Sequence, residues 1–305
     1  MNNLLMTNTF IVMKHLKLSI AIFLFILGGW VELCAQTAYI APVESELKLT
    51  DIVIHKNVRY GLVPDSIDDA SSDRILDLYL PLNNALKKLP VFVFIHGGGF
   101  RNGDKGVVAI QQLCSKIASK GFAVLSINYR LTLKYKTYVG SGSVNMSKGL
   151  QPTRKFNEGA IIALNNATED TEMALKWIKN NAKSYNFATG SVGVGGSSAG
   201  AMTALNLAYI STQKIIPVKA VIDMWGGMAN ADLIKKNAPP VLIYHGDNDK
   251  VVHVDYAYAL KNQMDKIGSE KSVLCIMKGQ GHAQYDVILK EKVDEIITFL
   301  STNLK

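Results

Sequence analysis

From Thr50 onward the chain alternates short β-branched runs with longer stretches of helical periodicity, a pattern open to few architectures. Parallel strands cannot be joined by tight turns and require helical crossovers, so the alternation predicts a mostly parallel sheet covered on both faces. Strands are expected at Asp51 to His55, Arg74 to Leu80, Val91 to Ile95, Ala123 to Ile127, Ser191 to Val194, Ala220 to Met224, Val241 to Tyr244 and Ser272 to Met277. Helices are expected at Val107 to Lys120, Glu169 to Ala182, Ala199 to Tyr209, Val254 to Ile267 and Tyr285 to Leu300. With 305 residues, 48% of them hydrophobic, the chain can close a large core. No Pro/Ser/Gly-rich linker divides it, so one α/β domain over residues 36–305 is expected. The long segment between Arg130 and Glu169, rich in Gly, Ser and Asn from Gly140 to Gly149, breaks the alternation. It reads as an insertion at about 131–168, either a lid that contacts substrate or a neutral surface loop.

The first residues form a separate unit of meaning. Lys14 and Lys17 precede an apolar run, Leu18 to Leu27, that only Ser19 interrupts. A bilayer span needs about 20 apolar residues, so the run reads as the core of a secretory signal peptide. The leader is assigned to residues 1–35, with Met13 as an alternative start and cleavage after Ala35; the competing reading is an uncleaved anchor helix. Export to the periplasm or beyond the cell is expected, with no membrane span after the leader is removed. Glu32 and Leu33 just before Cys34 argue against lipidation, and Cys114 and Cys275 read as buried thiols.

The net charge of +8 is scattered along the chain without basic blocks, so no nucleic-acid partner is implied. Walker, HExxH and paired CxxC patterns are missing from the sequence. Asp247 and Asp249 resemble the start of a calcium loop, but Val251 stands where that loop needs an oxygen ligand. Neither a metal nor an organic cofactor is expected.

The chemistry concentrates at strand ends. Val192 to Gly200 runs from an apolar strand straight into an alanine-rich helix and holds G-x-S-x-G in the frame Gly196, Ser198, Gly200. Such glycines suit a strained strand-to-helix turn that leaves no room for a Cβ on either side of the nucleophile, which points to Ser198. Upstream, Phe92 to Ile95 leads into His96-Gly97-Gly98-Gly99-Phe100. Backbone N–H groups of a glycine loop can approach an oxyanion, so Gly98, Gly99 and the N–H of Ala199 are the expected donors. An acid and then a histidine should follow the serine. The strand Val241 to Tyr244 opens into His245-Gly246-Asp247-Asn248-Asp249, with two carboxylates available, and the strand ending at Met277 leads to Gly281-His282. Of the other histidines, His15 lies in the leader and His55 on an early strand, while His96 and His245 sit in strand-end turns where backbone hydrogen bonds are expected. His253 comes before the expected position, which leaves His282 as the base.

These residues resemble the α/β-hydrolase superfamily, its HGGG-type carboxylesterases, and within them the bifunctional feruloyl and acetyl-xylan esterase-like group. The resemblance rests on Leu76-Asp77-Leu78-Tyr79-Leu80-Pro81, Val93 to Lys105, Asn128 to Leu131, Trp177 to Ala182 and the elbow, and it extends from about Ile52 to the C-terminus. Two stretches depart from the family pattern, Arg130 to Glu169 and Asp223 to Gly227. The resemblance implies the α/β-hydrolase fold and selects Asp249, four residues after the histidine of His245-Gly246, as the acid. It also implies hydrolysis of small-molecule or polysaccharide-borne esters carrying short acyl or hydroxycinnamoyl groups. The alternatives are a general carboxylesterase or lipase-like enzyme, a serine exopeptidase, and a non-catalytic binding protein on the same fold.

Overall fold

The structure, a computed structural model, describes residues 51–63, 74–82, 88–135, 146–147, 149 and 156–304. The leader and its cleavage point lie outside the described residues. Runs that are apolar at every position become central strands: β3 (Leu89–Ile95) and β4 (Ala123–Ile127) have helices on both faces and so need no polar alternation. In β3, Val91, Val93 and Ile95 enter one core while Phe92 and Phe94 enter the other. That is the two-residue period of a strand between two hydrophobic layers. The half-exposed alternation of β1 (Ile52–Arg59) marks an edge strand instead.

Among the described residues these strands join β2 (Ile75–Pro81), β5 (Phe187–Ser197), β6 (Val218–Met224), β7 (Val241–Gly246) and β8 (Val273–Met277) in one eight-stranded sheet. Its order is β1-β2-β4-β3-β5-β6-β7-β8. Only β2 runs against its neighbours; the pairs from β4 through β8 are parallel. The carboxyl ends of β3, β5, β7 and β8 therefore open on the same edge of the sheet, where such folds place their sites.

The helices are α1 (Val108–Ala118), α2 (Thr132–Tyr135), α3 (Glu158–Asn181), α4 (Ala199–Tyr209), α5 (Asp255–Lys266), α6 (Tyr285–Val287) and α7 (Val293–Asn303). A π-helical turn, Ile288–Lys292, separates the last two where one continuous helix was expected. The larger correction concerns α3, which begins at Glu158 and not at Glu169. Asn157 caps it, its side chain accepting from the Ala160 N–H at 2.9 Å, and Ala163, Leu164 and Ala167 are buried on the first turns. The expected insertion is thus shorter than 131–168, because its last part belongs to a packed helix. What remains is tied down on both sides: the Leu133 N–H donates to the Phe100 carbonyl at 3.0 Å and the His253 N–H to the Met146 carbonyl at 3.1 Å. Phe156 is buried, with its ring centroid 6.1 Å from that of Tyr256. No helix among the described residues is long and apolar enough to cross a membrane.

Candidate active site

Between β5 and α4 the backbone turns through Ser198 at φ 51° and ψ −119°, a region L-residues occupy only under constraint. The constraint comes from β6, whose Met224 carbonyl accepts the Ser198 N–H at 2.9 Å. A Cβ on either Gly196 or Gly200 would run into the Ile95 carbonyl of β3, so both flanking glycines are dictated by the close passage of a neighbouring strand. The turn leaves Ser198 partly exposed, while Ser197 is buried and its Oγ lies 2.5 Å from the Tyr285 hydroxyl.

His282 reaches over from the loop after β8. Its Nε2 is 3.0 Å from Ser198 Oγ and its Nδ1 is 2.7 Å from Asp249 Oδ2. A carboxylate can only accept, so Nδ1 carries the proton and Nε2 turns its lone pair toward the hydroxyl. The other oxygen of Asp249 accepts from the Val251 and Val252 N–H groups at 2.8 and 3.0 Å. Burial would raise the Asp249 carboxyl, but hydrogen bonds from His245, His282 and the Val251 N–H outweigh it and hold the group below the ordinary carboxylate range. Asp247 faces elsewhere, accepting from the Gly279 N–H at 2.7 Å at an exposed position. Of the two carboxylates that spacing alone left open, Asp249 is the one within reach of His282.

The glycine loop stands opposite. Gly98 and Gly99 have φ of 116° and 63°, and both are exposed. The Gly98 carbonyl accepts from the Arg101 and Asn102 N–H groups at 3.1 and 2.9 Å, which fixes the loop. Ala199 is the first residue of α4, so its N–H has no partner within the helix. The sequence reading did not single out Gly97, yet a Cβ there would lie 3.2 Å from Ser198 Cβ. It also missed Trp225, a buried residue at φ 47° whose ring stands edge-on to His282 at 6.4 Å. Gly97 belongs to the glycine motif and Trp225 to the departing Asp223 to Gly227 stretch, which are the signals that could have drawn attention to them.

Buried His96 anchors the loop: Nδ1 is 2.7 Å from the Gly97 carbonyl and the ring stacks on Tyr129 at 4.5 Å. Burial pushes its imidazole down to about 4. A histidine lowered from about 6.5 in the unfolded chain gives stability that is full above that value and is lost as pH falls toward 4, about 3 kcal/mol in all. Asp223, raised by burial to about 6, works in the opposite direction over the same window, so the comparison must be a difference between proteins. Between pH 7 and 4, wild type should lose about 3 kcal/mol of unfolding free energy relative to His96→Asn. Denaturant unfolding across that range tests this, and a pH-independent difference contradicts it.

His55 is exposed, in ring contact with Tyr185 at 5.9 Å, and His253 lies beside Asp255 at 3.2 Å. Cys114 is buried as expected, whereas Cys275 is only half-buried; both are free thiols. No group of three or more His, Cys, Asp or Glu among the described residues could hold a metal ion. A cavity of about 610 Å³ between β1, α1 and the C-terminal helices shares no lining residue with the serine cluster, so the constellation and not that cavity locates the site.

Solved structures share the architecture. The propionate-bound thermophilic esterase Est2 of Thermogutta terrifontis superposes with a TM-score of 0.61 at 15% identity, over 84% of this chain and 95% of its own. A truncated carbohydrate esterase from gut microbiota gives 0.58 at 19% identity, over 82% and 96%. The chain has the α/β-hydrolase fold. Two family models match parts of the chain: BD-FAE over residues 76–138 and 162–229, and the prolyl oligopeptidase family over residues 218–305. Among sequence relatives, esterase LipC of Mycobacterium tuberculosis is 23% identical over 79% of the chain, and para-nitrobenzyl esterase of Bacillus subtilis is 28% identical over 64%. The chain spans 62% of the length of the first and 34% of the second.

Proposed function

We propose that this α/β-hydrolase cleaves carboxylic esters, with Ser198 as nucleophile, His282 as general base and Asp249 as the acid that orients it. The observation that carries the proposal is the continuous relay of 3.0 Å from Ser198 Oγ to His282 Nε2 and 2.7 Å from His282 Nδ1 to Asp249 Oδ2. His282 takes the hydroxyl proton as Ser198 attacks the ester carbonyl, and the N–H groups of Gly98, Gly99 and Ala199 receive the oxyanion. His282 then hands its proton to the departing alcohol, and water, activated in the same way, releases the acyl group from Ser198. Asp249 stabilises the imidazolium in both halves. No step calls for a metal or an organic cofactor.

The substrate class proposed is short acyl or hydroxycinnamoyl esters carried on polysaccharides. Support comes from the sequence resemblance to feruloyl and acetyl-xylan esterases, the partial BD-FAE match and a structural neighbour described as a carbohydrate esterase. Export, the expectation from the leader, fits an enzyme meeting polymers outside the inner membrane. A peptidase reading draws on the prolyl oligopeptidase match over residues 218–305. A fluorophosphonate probe should label wild type at Ser198, and kcat/KM should be higher for acetylated or feruloylated xylo-oligosaccharide than for p-nitrophenyl butyrate or a dipeptidyl amide. Absence of labelling would leave a non-catalytic binding protein. Preference for the amide would favour the peptidase, and equal handling of both esters would favour a general carboxylesterase.

A further inference from the structure

Behind Asp249 lies a second histidine that the ester-cleaving relay does not use. His245, at the end of β7, is wholly buried; its Nε2 is 2.8 Å from the Val252 carbonyl and 3.4 Å from Asp249 Oδ2. Both neighbours are acceptors, so Nε2 bears the proton and points it into the gap between them. Val252 also gives its N–H to Asp249, so the turn closes on itself: carboxylate, backbone amide, backbone carbonyl, imidazole, carboxylate. The expectation of a backbone hydrogen bond for His245 is met, and the carboxylate contact adds to it.

A third group completes the picture. Asp223, at the end of β6, opens the Asp223 to Gly227 stretch that departs from the family pattern. Its Oδ1 accepts the Gly226 N–H at 2.8 Å, closing the turn that carries Trp225 against His282. Its Oδ2 and the Nδ1 of His245 are both buried without a hydrogen-bond partner among the described residues. An isolated charge is expensive at such depth, and a protonated His245 offsets it directly at Asp249 and, through its longer-range field, at Asp223.

We propose that His245 is a positioning residue for the Asp249–His282 pair, holding as an imidazolium the oxygen of Asp249 that His282 uses. This rests on the ester-hydrolase reading above. The charged and titratable groups that face it are Asp223 from β6, Asp249 from the β7–α5 loop and, one step beyond, His282 from the loop after β8. Although burial opposes protonation of His245, the hydrogen bond to Asp249, the Val252 carbonyl and the charge of Asp223 outweigh it and raise its proton affinity. With that positive charge in place Asp249 is partly neutralised, so removing it should strengthen the field of Asp249 on the ring it contacts.

The test uses the full-length enzyme and two variants. His245→Gln keeps an N–H donor but cannot carry charge, and His245→Leu removes both. In His245→Leu, kcat for a p-nitrophenyl ester should fall roughly 10- to 100-fold, the range for a hydrogen bond to a charged group, with KM within about twofold of wild type. In His245→Gln most of kcat should return, yet the acid limb of the kcat/KM profile should lie at higher pH than in wild type, as it does in His245→Leu. Nitrogen-15 spectra of wild type, assigned by the signal lost in His245→Gln, should show both ring nitrogens of His245 protonated at pH 7. That reading stands even if His245→Leu fails to fold. A neutral ring at pH 7, or variants with an unmoved acid limb, would overturn the proposal. Fluorophosphonate labelling and turnover of wild type separate this from the parent reading: if wild type neither labels nor turns over, the hydrolase assignment fails, whereas an active wild type with indifferent variants removes only the role of His245.

Discussion

Replacing Ser198 with alanine should abolish ester hydrolysis, lowering kcat by roughly 10⁴-fold or more, while the protein folds normally. The loss is large because the serine, histidine and acid act as a unit, so removing the nucleophile also idles His282 and Asp249. Folding survives because the residue's structural tasks belong to its backbone: the N–H that Met224 accepts and the φ of 51° are equally available to alanine, whose Cβ occupies the same place. Ser198 Oγ has a single described partner, His282 at 3.0 Å, so its deletion orphans no deeply buried group. Steady-state kinetics on the purified variant, with circular dichroism as a check of folding, read the result. Retained turnover would assign the chemistry to another residue, with Ser197 the first to examine.

The second large effect is expected at Asp249. Asp249→Asn should cost roughly 10⁴-fold, because the amide presents an N–H to His282 Nδ1 and drives the ring into the tautomer whose Nε2 cannot take a proton from Ser198. Asn retains the oxygen that accepts from Val251 and Val252, so the turn should persist. Asp247→Asn should cost much less, since an amide oxygen can still accept the Gly279 N–H. The pair makes a sharp comparison: two residues apart, the same chemical change, opposite consequences. Were Asp247→Asn the more damaging, the acid would be misassigned.

The contrast between those two carboxylates also shows where reading a sequence succeeds and where it stops. Val91 to Ile95 and Val241 to Tyr244 were legible as strands because a fully covered strand must be apolar at every position. Ser198 was legible because Gly196 and Gly200 are forced by the Ile95 carbonyl, and a steric demand of that kind leaves its mark in the residues themselves. Asp249 was not separable from Asp247 by spacing, since the choice depends on the Val251 and Val252 amides turning back onto one carboxylate; family resemblance supplied it. The start of α3 was missed although its signals were present in Asn157 and Glu158, because the Gly/Ser/Asn-rich stretch ahead of them drew the boundary too far downstream. Trp225 shows a different limit: the ring it meets, His282, is distant in sequence, and no local pattern encodes such a contact.

The chain on either side of the long connection is anchored to a single helix. Buried Asp170 on α3 accepts from the Arg130 N–H at 2.8 Å and from its guanidinium at 3.0 Å, and also binds Arg74 at 2.8 Å. The Asn166 amide meets the Thr132 hydroxyl at 2.9 Å. The strand exit before the connection is therefore stapled directly to the helix after it. None of these contacts uses a residue between 136 and 155, so the pairing of β4 with β3 that precedes the connection does not draw on them. In the proposed esterase, sequence change between the two anchors and the chemistry at Ser198 therefore rest on separate sets of contacts.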